Sequence, residues 1–484
     1  MRRLLFAFLV FALATAACSL PLTEAQQRAN DTTSTTEPGE GPTPPTSRSP
    51  QPTPTLPPLD PEDAEVLAQL PGQLAIGAGS IVALVNPDGS AGRIVGGGDG
   101  VIATQPTWST EGTLLAWSEV TPNASAITVF DPASEGMLSS PIEGPPAFYL
   151  QWNTSEQLVA YLRNNPAGEG IEAGVVRPGG EQEVYDGGAP HFFEWAPERD
   201  FWVSHVDDSQ LALVSVEEIV EVQNPTRSFS TPQWIDGDRF VYAGPNGIEV
   251  FDLNGTNPQS FPVAPGPLTF TVNPSGTHVA YLVPNGEDDG AADDGAADDG
   301  AVDDGTDEEG AELEDNGDAQ PEADPDVDGT SVDAGALVTL ELATGQTTTV
   351  TTEPVVMWEW SPDGSRLVWT GLDRADAANL AQLHVWSIES ASEISVTPSF
   401  RPSQAMISSY FPFFTQYSVS HTSWAPDNTA FAFAGSILDE SGIWVHALPT
   451  DERPGVDAAR IAVGDVAFWS PNDAQAGAAA PSPF

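Results

Sequence analysis

From about residue 74 onward, short apolar strands alternate with tight polar turns in one recurring pattern. Each unit has an apolar strand ending near a Trp, a tight turn, a second strand, then a third and a weaker fourth. The clearest copy reads Met357-Trp358-Glu359-Trp360-Ser361-Pro362-Asp363-Gly364-Ser365-Arg366-Leu367-Val368-Trp369. Pro presets φ in such a turn, and Asp and Gly accept its remaining positions. The equivalent positions are Trp108, Trp152, Trp195, Trp234, Val272, Trp360, Trp424 and Trp469, spaced by 44, 43, 39, 38, 88, 64 and 45 residues. The two long spacings each hold an insertion: an acidic one at 287–333 and an aromatic one at 400–421. Removing the acidic segment brings 88 down to 41. A beat near 40 residues with four strands per beat is the signature of a β-propeller blade. A lone sheet of this size leaves a face uncovered, whereas stacked blades cover one another.

The pattern begins at 73–76, 81–85 and 93–95, which read as second, third and fourth strands lacking a first. It ends at 466–469, a first strand lacking the rest. Pairing the two ends makes one complete blade and removes an exposed sheet edge. The expectation is therefore an all-β chain: a propeller of four-stranded blades over 73–473, eight in number, closed by a composite N-/C-terminal blade. Seven is the alternative if the unit at Val272 or the N-terminal strands fall outside the ring. The Trp-Ser-Pro-Asp-Gly turn, followed by Leu367-Val368-Trp369 and Leu383-His384-Val385-Trp386, resembles the TolB-like and WD-repeat-like propeller families. The motif specifies fold, and the fold hosts many activities. The Pro-rich segment stands where TolB carries an α/β domain, so TolB's partners are not carried over.

The N-terminus reads differently. Arg2 and Arg3 precede an apolar run over 4–13, too short to span a bilayer, then small residues and Cys18. This is an export signal over 1–17. Thr15-Ala16-Ala17-Cys18 resembles the lipobox of bacterial lipoproteins, with Thr15 where that family usually has Leu. The resemblance implies lipidation at Cys18, the only cysteine, and a membrane lipoprotein on the extracytoplasmic side, at the cell surface or in the periplasm. Ten of the 24 residues from 38 to 61 are proline, so 18–72 reads as a stiff disordered tether, with one or two helical turns allowed over 63–70. A disordered tail is expected over 474–484.

Charge sharpens the picture. The net charge is −55, and all 15 basic residues are Arg. Such a surface repels phosphate backbones, which argues against nucleic-acid binding. The acidic insertion has 21 acidic residues and no basic one, a disordered composition. Its Asp324, Asp326, Asp328 and Gly329 match the opening of a calcium loop, but Gly335 stands where the closing Glu belongs. No cofactor is expected beyond loosely bound divalent cations.

Two stretches carry candidate chemistry. The residues one before each repeat position are Thr107, Gln151, Glu194, Gln233, Thr271, Glu359, Ser423 and Phe468, seven of them polar on an apolar strand. Alternation turns them away from the Trp face, toward a central channel. Gln151, Glu194, Gln233 and Glu359 are candidate ligand contacts, or simply a solvated lining. The aromatic insertion supplies Tyr410, Phe413, Phe414, Gln416, Tyr417 and His421, either a ligand platform or a plug over the propeller's end. It is similar to a segment found in some bacterial TolB-like propellers. No nucleophile elbow, zinc motif or phosphate loop occurs. The expectation is a monomeric scaffold binding an envelope protein or small solute. The alternatives are a hydrolase or lyase acting on glycans or peptides through Glu194 or Glu359, and an accessory component of a transport system.

Overall fold

The computed structural model describes residues 59–283 and 335–475, except 169, 186, 208–209, 216–218, 223–225, 227–229, 256–257 and 374–379. The export signal, Cys18, the tether up to residue 58, the acidic insertion with Asp324, Asp326 and Asp328, and the tail from 476 lie outside the described residues.

Eight four-stranded antiparallel sheets form a β-propeller of eight blades. Their innermost strands are Ile102–Trp108, Ala147–Trp152, His191–Trp195, Gln233–Asp236, Phe270–Val272, Val355–Trp360, Arg401–Pro402 and Val466–Trp469. The last belongs to the composite blade, where Val466–Trp469 pairs with Leu74–Ala78, which pairs with Ile81–Val85 and then Arg93–Gly97. The register runs from Leu74 opposite Trp469 to Gly77 opposite Val466. The ring is thus closed by hydrogen bonds between the chain's two ends, as their strand deficits require.

The repeat Trp residues fill the gaps between sheets, and their indoles show why. A large apolar ring with one N–H donor needs an acceptor when buried. Each of five finds it on the ring residue of the preceding blade. Trp108 donates to Phe468 O (3.1 Å), Trp152 to Thr107 O (3.2 Å), Trp195 to Gln151 O (3.3 Å) and Trp234 to Glu194 O (3.0 Å). Trp360 donates to Thr271 Oγ1 at 3.0 Å, with Thr271 O at 3.5 Å. The fifth blade has Val272 instead of Trp, yet it keeps four strands and its place in the ring.

The turn chemistry acts as its composition implies. Asp363 Oδ1 accepts from Ser361 Oγ (2.7 Å) and Ser365 N (2.9 Å), and Gly364 takes φ 72°. The same left-handed position is held by Gly112, Glu156, Gly276 and Asn428 in other blades, whereas in the third blade the left-handed residue is Glu198, one position earlier in the turn.

One boundary shifts. The tether reading ran to residue 72, but Pro61–Leu67 is a helix packed on the propeller. Pro61 opens it and the Asp60 side chain caps it by accepting Glu62 N at 2.9 Å. Leu67 and Leu70 are fully buried in a cluster with Val85, Ile461 and Trp469. Two buried leucines contribute about 1.5–3 kcal/mol each, enough to fix a short helix to the body. No described helix is long and apolar enough to cross a membrane.

Candidate functional site

The aromatic insertion interrupts the innermost strand of the seventh blade, and its buried part, Tyr410 and Phe414 to Tyr417, packs against the channel-facing side of other blades. Arg401 and Pro402 pair with Ser436 and Gly435, and the strand resumes only at Trp424, bridged to Phe431. Phe400, placed in the insertion by its sequence, instead bridges to Ala381 of the sixth blade. Between them lie a π-helical turn Met406–Tyr410, a 3-10 turn Phe411–Phe413 and a helical turn Phe414–Tyr417. Residues 402–420 carry no charged side chain; Tyr410 and Phe414 to Tyr417 are buried, while Gln404, Ile407 and Pro412 are exposed.

This plug meets the polar ring on several blades. Gln416 uses its carboxamide as a surrogate strand: Phe193 N donates to its Oε1 (2.8 Å), and its Nε2 donates to Phe193 O (2.7 Å). Gln233 Nε2 donates to Thr415 O (3.1 Å), and Gln151 Nε2 to Val419 O (3.2 Å). Tyr149 OH donates to Gln416 O (3.0 Å). His421 is enclosed by Tyr410, Tyr417, Tyr149 and Phe468, with Nε2 2.8 Å from Thr107 Oγ1 and Nδ1 2.6 Å from Ser420 Oγ. Burial pushes its pKa down to about 3, so the ring is neutral. Tyr410 and Tyr417 pack with centroids 4.2 Å apart, and Phe414 packs edge-on to Trp358 at 4.5 Å. Phe413 packs against the same cluster as Tyr410 and Tyr417.

The two glutamates serve as straps between blades. Glu194 Oε2 accepts Trp234 N at 2.6 Å. Glu359 accepts Ser423 N (2.8 Å) and Thr422 Oγ1 (2.9 Å) on one oxygen and Ser423 Oγ (2.6 Å) on the other. Gln233 Oε1 repeats the strap to Val272 N (2.5 Å). Innermost strands expose N–H groups on their channel edge, and a long acceptor one blade back satisfies them. Burial raises Glu194 to about 8, against the Trp234 N–H, and Glu359 to about 7, against its three donors.

Sequence pattern therefore located the channel-facing residues but not what meets them. It missed Tyr149, Phe193, Thr415 and Thr422. The first two look like ordinary core aromatics, and the plug acts partly through main-chain carbonyls, which no side-chain pattern reveals. Among the described residues no cluster of three or more His, Cys, Asp or Glu is placed to hold a metal.

With the channel filled, the concave site left on its axis is a funnel of about 460 Å³ at the end bearing the Trp-Ser-Pro-Asp-Gly turns. Its floor is plug residues Ser418 to Thr422, and its walls include Thr110, Gln151, Pro362, Pro426 and Pro471. A smaller, partly open cavity of about 60 Å³ lies between the plug and the sixth, seventh and composite blades, lined mainly by apolar side chains.

No protein-family model matches the chain, and no curated protein matches it. Solved structures with a similar fold include TolB from Acinetobacter baumannii, at 11% identity and TM-score 0.33, covering 66% of this chain and 62% of that one. The chain thus spans less than two thirds of the TolB structure's length. Others are the dihydro-heme d1 dehydrogenase NirN, at 10% identity and TM-score 0.49 over 83% of this chain and 75% of that one, and a 6-phosphogluconolactonase-like protein from Bacteroides uniformis, at 9% identity and TM-score 0.42 over 83% and 100%. At these identities the likeness is one of fold.

Proposed function

We propose that this chain is an exported lipoprotein, tethered through Cys18, whose propeller is a binding scaffold and whose binding site is the turn-end funnel. The observation that carries the binding site is the self-filled channel. The ring glutamines and glutamates hold the plug and the neighbouring blades, so an external ligand meets the funnel instead. The carboxylates of the hydrolase alternative are both spent on main-chain or hydroxyl donors. The anchoring reading is supported by the signal-like N-terminus and the single cysteine of the sequence.

Two measurements test this. Wild-type protein is expected in the detergent phase of a phase-separation assay, with Cys18→Ala moving it to the aqueous phase. Aqueous partitioning of the wild type refutes the anchor. A photo-crosslinking residue at Thr110, on the funnel wall, is expected to capture a partner or solute in intact cells. Capture from sites on the outer strands only, with none from position 110, refutes the funnel.

A further inference from the structure

Successive strands of a blade run in opposite directions, so every hairpin between second and third strands lies at the end of the ring away from the funnel. In the seventh blade that hairpin joins Ala430–Ile437 to Glu440–Ala447 through Leu438 and Asp439. A left-handed first position in a two-residue hairpin turn favours Gly or Asn. Here it is Leu438, at φ 54° and 95% exposed. Every other exposed large apolar side chain among the described residues lies between 38% and 53%. A bulky side chain in left-handed backbone is strained, and full exposure returns no burial. Nothing inside the molecule offsets that strain; a partner's apolar surface would.

Leu438 has apolar company at this end. Ser403 N donates to Ala434 O of the seventh blade (3.1 Å), and its Oγ donates to Asp465 O in the loop leading into the composite blade (2.5 Å). The plug's first turn rises from there: Ile407 N donates to Ser403 O at 3.1 Å, and Ile407 is exposed. Pro412, ahead of the plug's buried turn, and Val463, two residues before Asp465, are exposed too. Hairpin, plug and adjoining loop thus each present apolar surface to solvent.

Charge selects the occupant. Asp439 and Glu440 beside Leu438 are exposed, as is Asp465; of the cations here, Arg401 is exposed and Arg460 lies 3.6 Å from Glu440. The second and third strands of the fifth blade also meet at this end, where Val283 N donates to Ala336 O (2.9 Å). The chain between them carries 21 acidic residues and no basic one over 287–333. A second copy of a chain charged −55, or an anionic lipid surface, meets like charge here. A cationic polypeptide meets opposite charge and brings apolar side chains with it.

We propose that the end opposite the funnel docks a basic segment of a protein partner. Its apolar side chains seat on Leu438 and Ile407, and its Lys or Arg residues are drawn by the acidity of this end. The surface is separate from the funnel, and each stands without the other.

The test is fluorescence-anisotropy titration of the full chain at ~0.15 M salt with three labelled peptides, one alternating Lys and Leu, one Lys and Ser, one Glu and Leu. The Lys/Leu peptide is expected to bind saturably, the other two at least about tenfold more weakly. Leu438→Gly and Ile407→Ser are each expected to weaken it about tenfold, and Ile219→Ser, on the third blade's outer strand, to leave it unchanged. Leu438→Gly also releases backbone strain, so its melting midpoint is expected about 1–2 °C above wild type, which separates lost docking from lost folding. Equal binding of the Lys/Ser peptide, no saturable binding of the Lys/Leu peptide, or an affinity that both variants leave unchanged overturns the proposal. An equal loss in Ile219→Ser does so as well. So does wild-type self-association, or binding to phosphatidylcholine vesicles, that Leu438→Gly abolishes, since the surface then serves a second copy or a membrane.

Discussion

Gln416 offers the sharpest test of the plug. Its carboxamide satisfies both main-chain groups of Phe193, and both partners are buried. Gln416→Leu keeps the volume and removes both bonds, leaving an N–H and a C=O without partners inside the channel. Each orphaned group costs about 1–3 kcal/mol, so the variant loses about 2–6 kcal/mol. Unfolding entropy of ~2.1 cal/mol/K per residue over roughly 350 ordered residues is about 0.7 kcal/mol/K, so the melting midpoint falls by about 3–8 °C. Gln416→Glu separates hydrogen bonding from packing. Ionised, it still accepts from Phe193 N but faces Phe193 O with negative charge. Protonated, it restores both bonds. Burial raises its folded pKa above the unfolded value, so its stability is present at low pH and lost as pH rises through the folded pKa. The assay is thermal unfolding followed by circular dichroism at about pH 5 and pH 8. The leucine variant is expected to be low at both, the glutamate variant low only at the higher pH. Midpoints within about 1 °C of wild type for both variants at pH 8 would show that the plug is not held through Gln416.

Other outcomes follow from the same geometry. Glu359 is raised to about 7 from 4.5 by burial, so its contribution is full below about pH 4.5 and lost as pH rises through 7. That shift corresponds to about 3 kcal/mol, and Glu359→Gln, which can still accept Ser423 N, should flatten that part of a stability-against-pH curve; an unchanged slope counts against it. Glu194→Gln should act likewise over a window reaching about pH 8. Glu198 adopts φ 59°, a left-handed conformation that strains a residue with a Cβ, so Glu198→Gly is expected to raise stability by up to about 1 kcal/mol in urea unfolding; a loss of stability would contradict that account.

The sequence was informative wherever the physics is local and repeated. A Trp every 40 or so residues, turn residues suited to φ > 0, and strands missing from opposite ends of the pattern pointed to an end-closed ring of eight blades, with seven as the alternative until the fifth blade's four strands were seen. The seven polar ring residues were also legible, because polarity on an apolar strand breaks alternation. Their partners were not. Gln416 meets Phe193 and Thr107 meets His421 across more than 200 residues of chain, and Glu194 answers a main-chain N–H on another blade. A polar side chain facing a channel reads the same whether water, a ligand or the protein's own backbone satisfies it.

Composition and periodicity alone thus pointed to the blade repeat, the shared final blade and the channel-facing positions and narrowed the count to eight or seven, since these follow from hydrophobic burial and strand geometry. Tertiary structure decided that the aromatic insertion packs its buried turn against the channel-facing residues, that Glu194 and Glu359 hold neighbouring blades, and that a funnel remains at the turn end. Those outcomes depend on which buried polar groups meet across the ring, and closing the ring is what brings them within hydrogen-bonding reach.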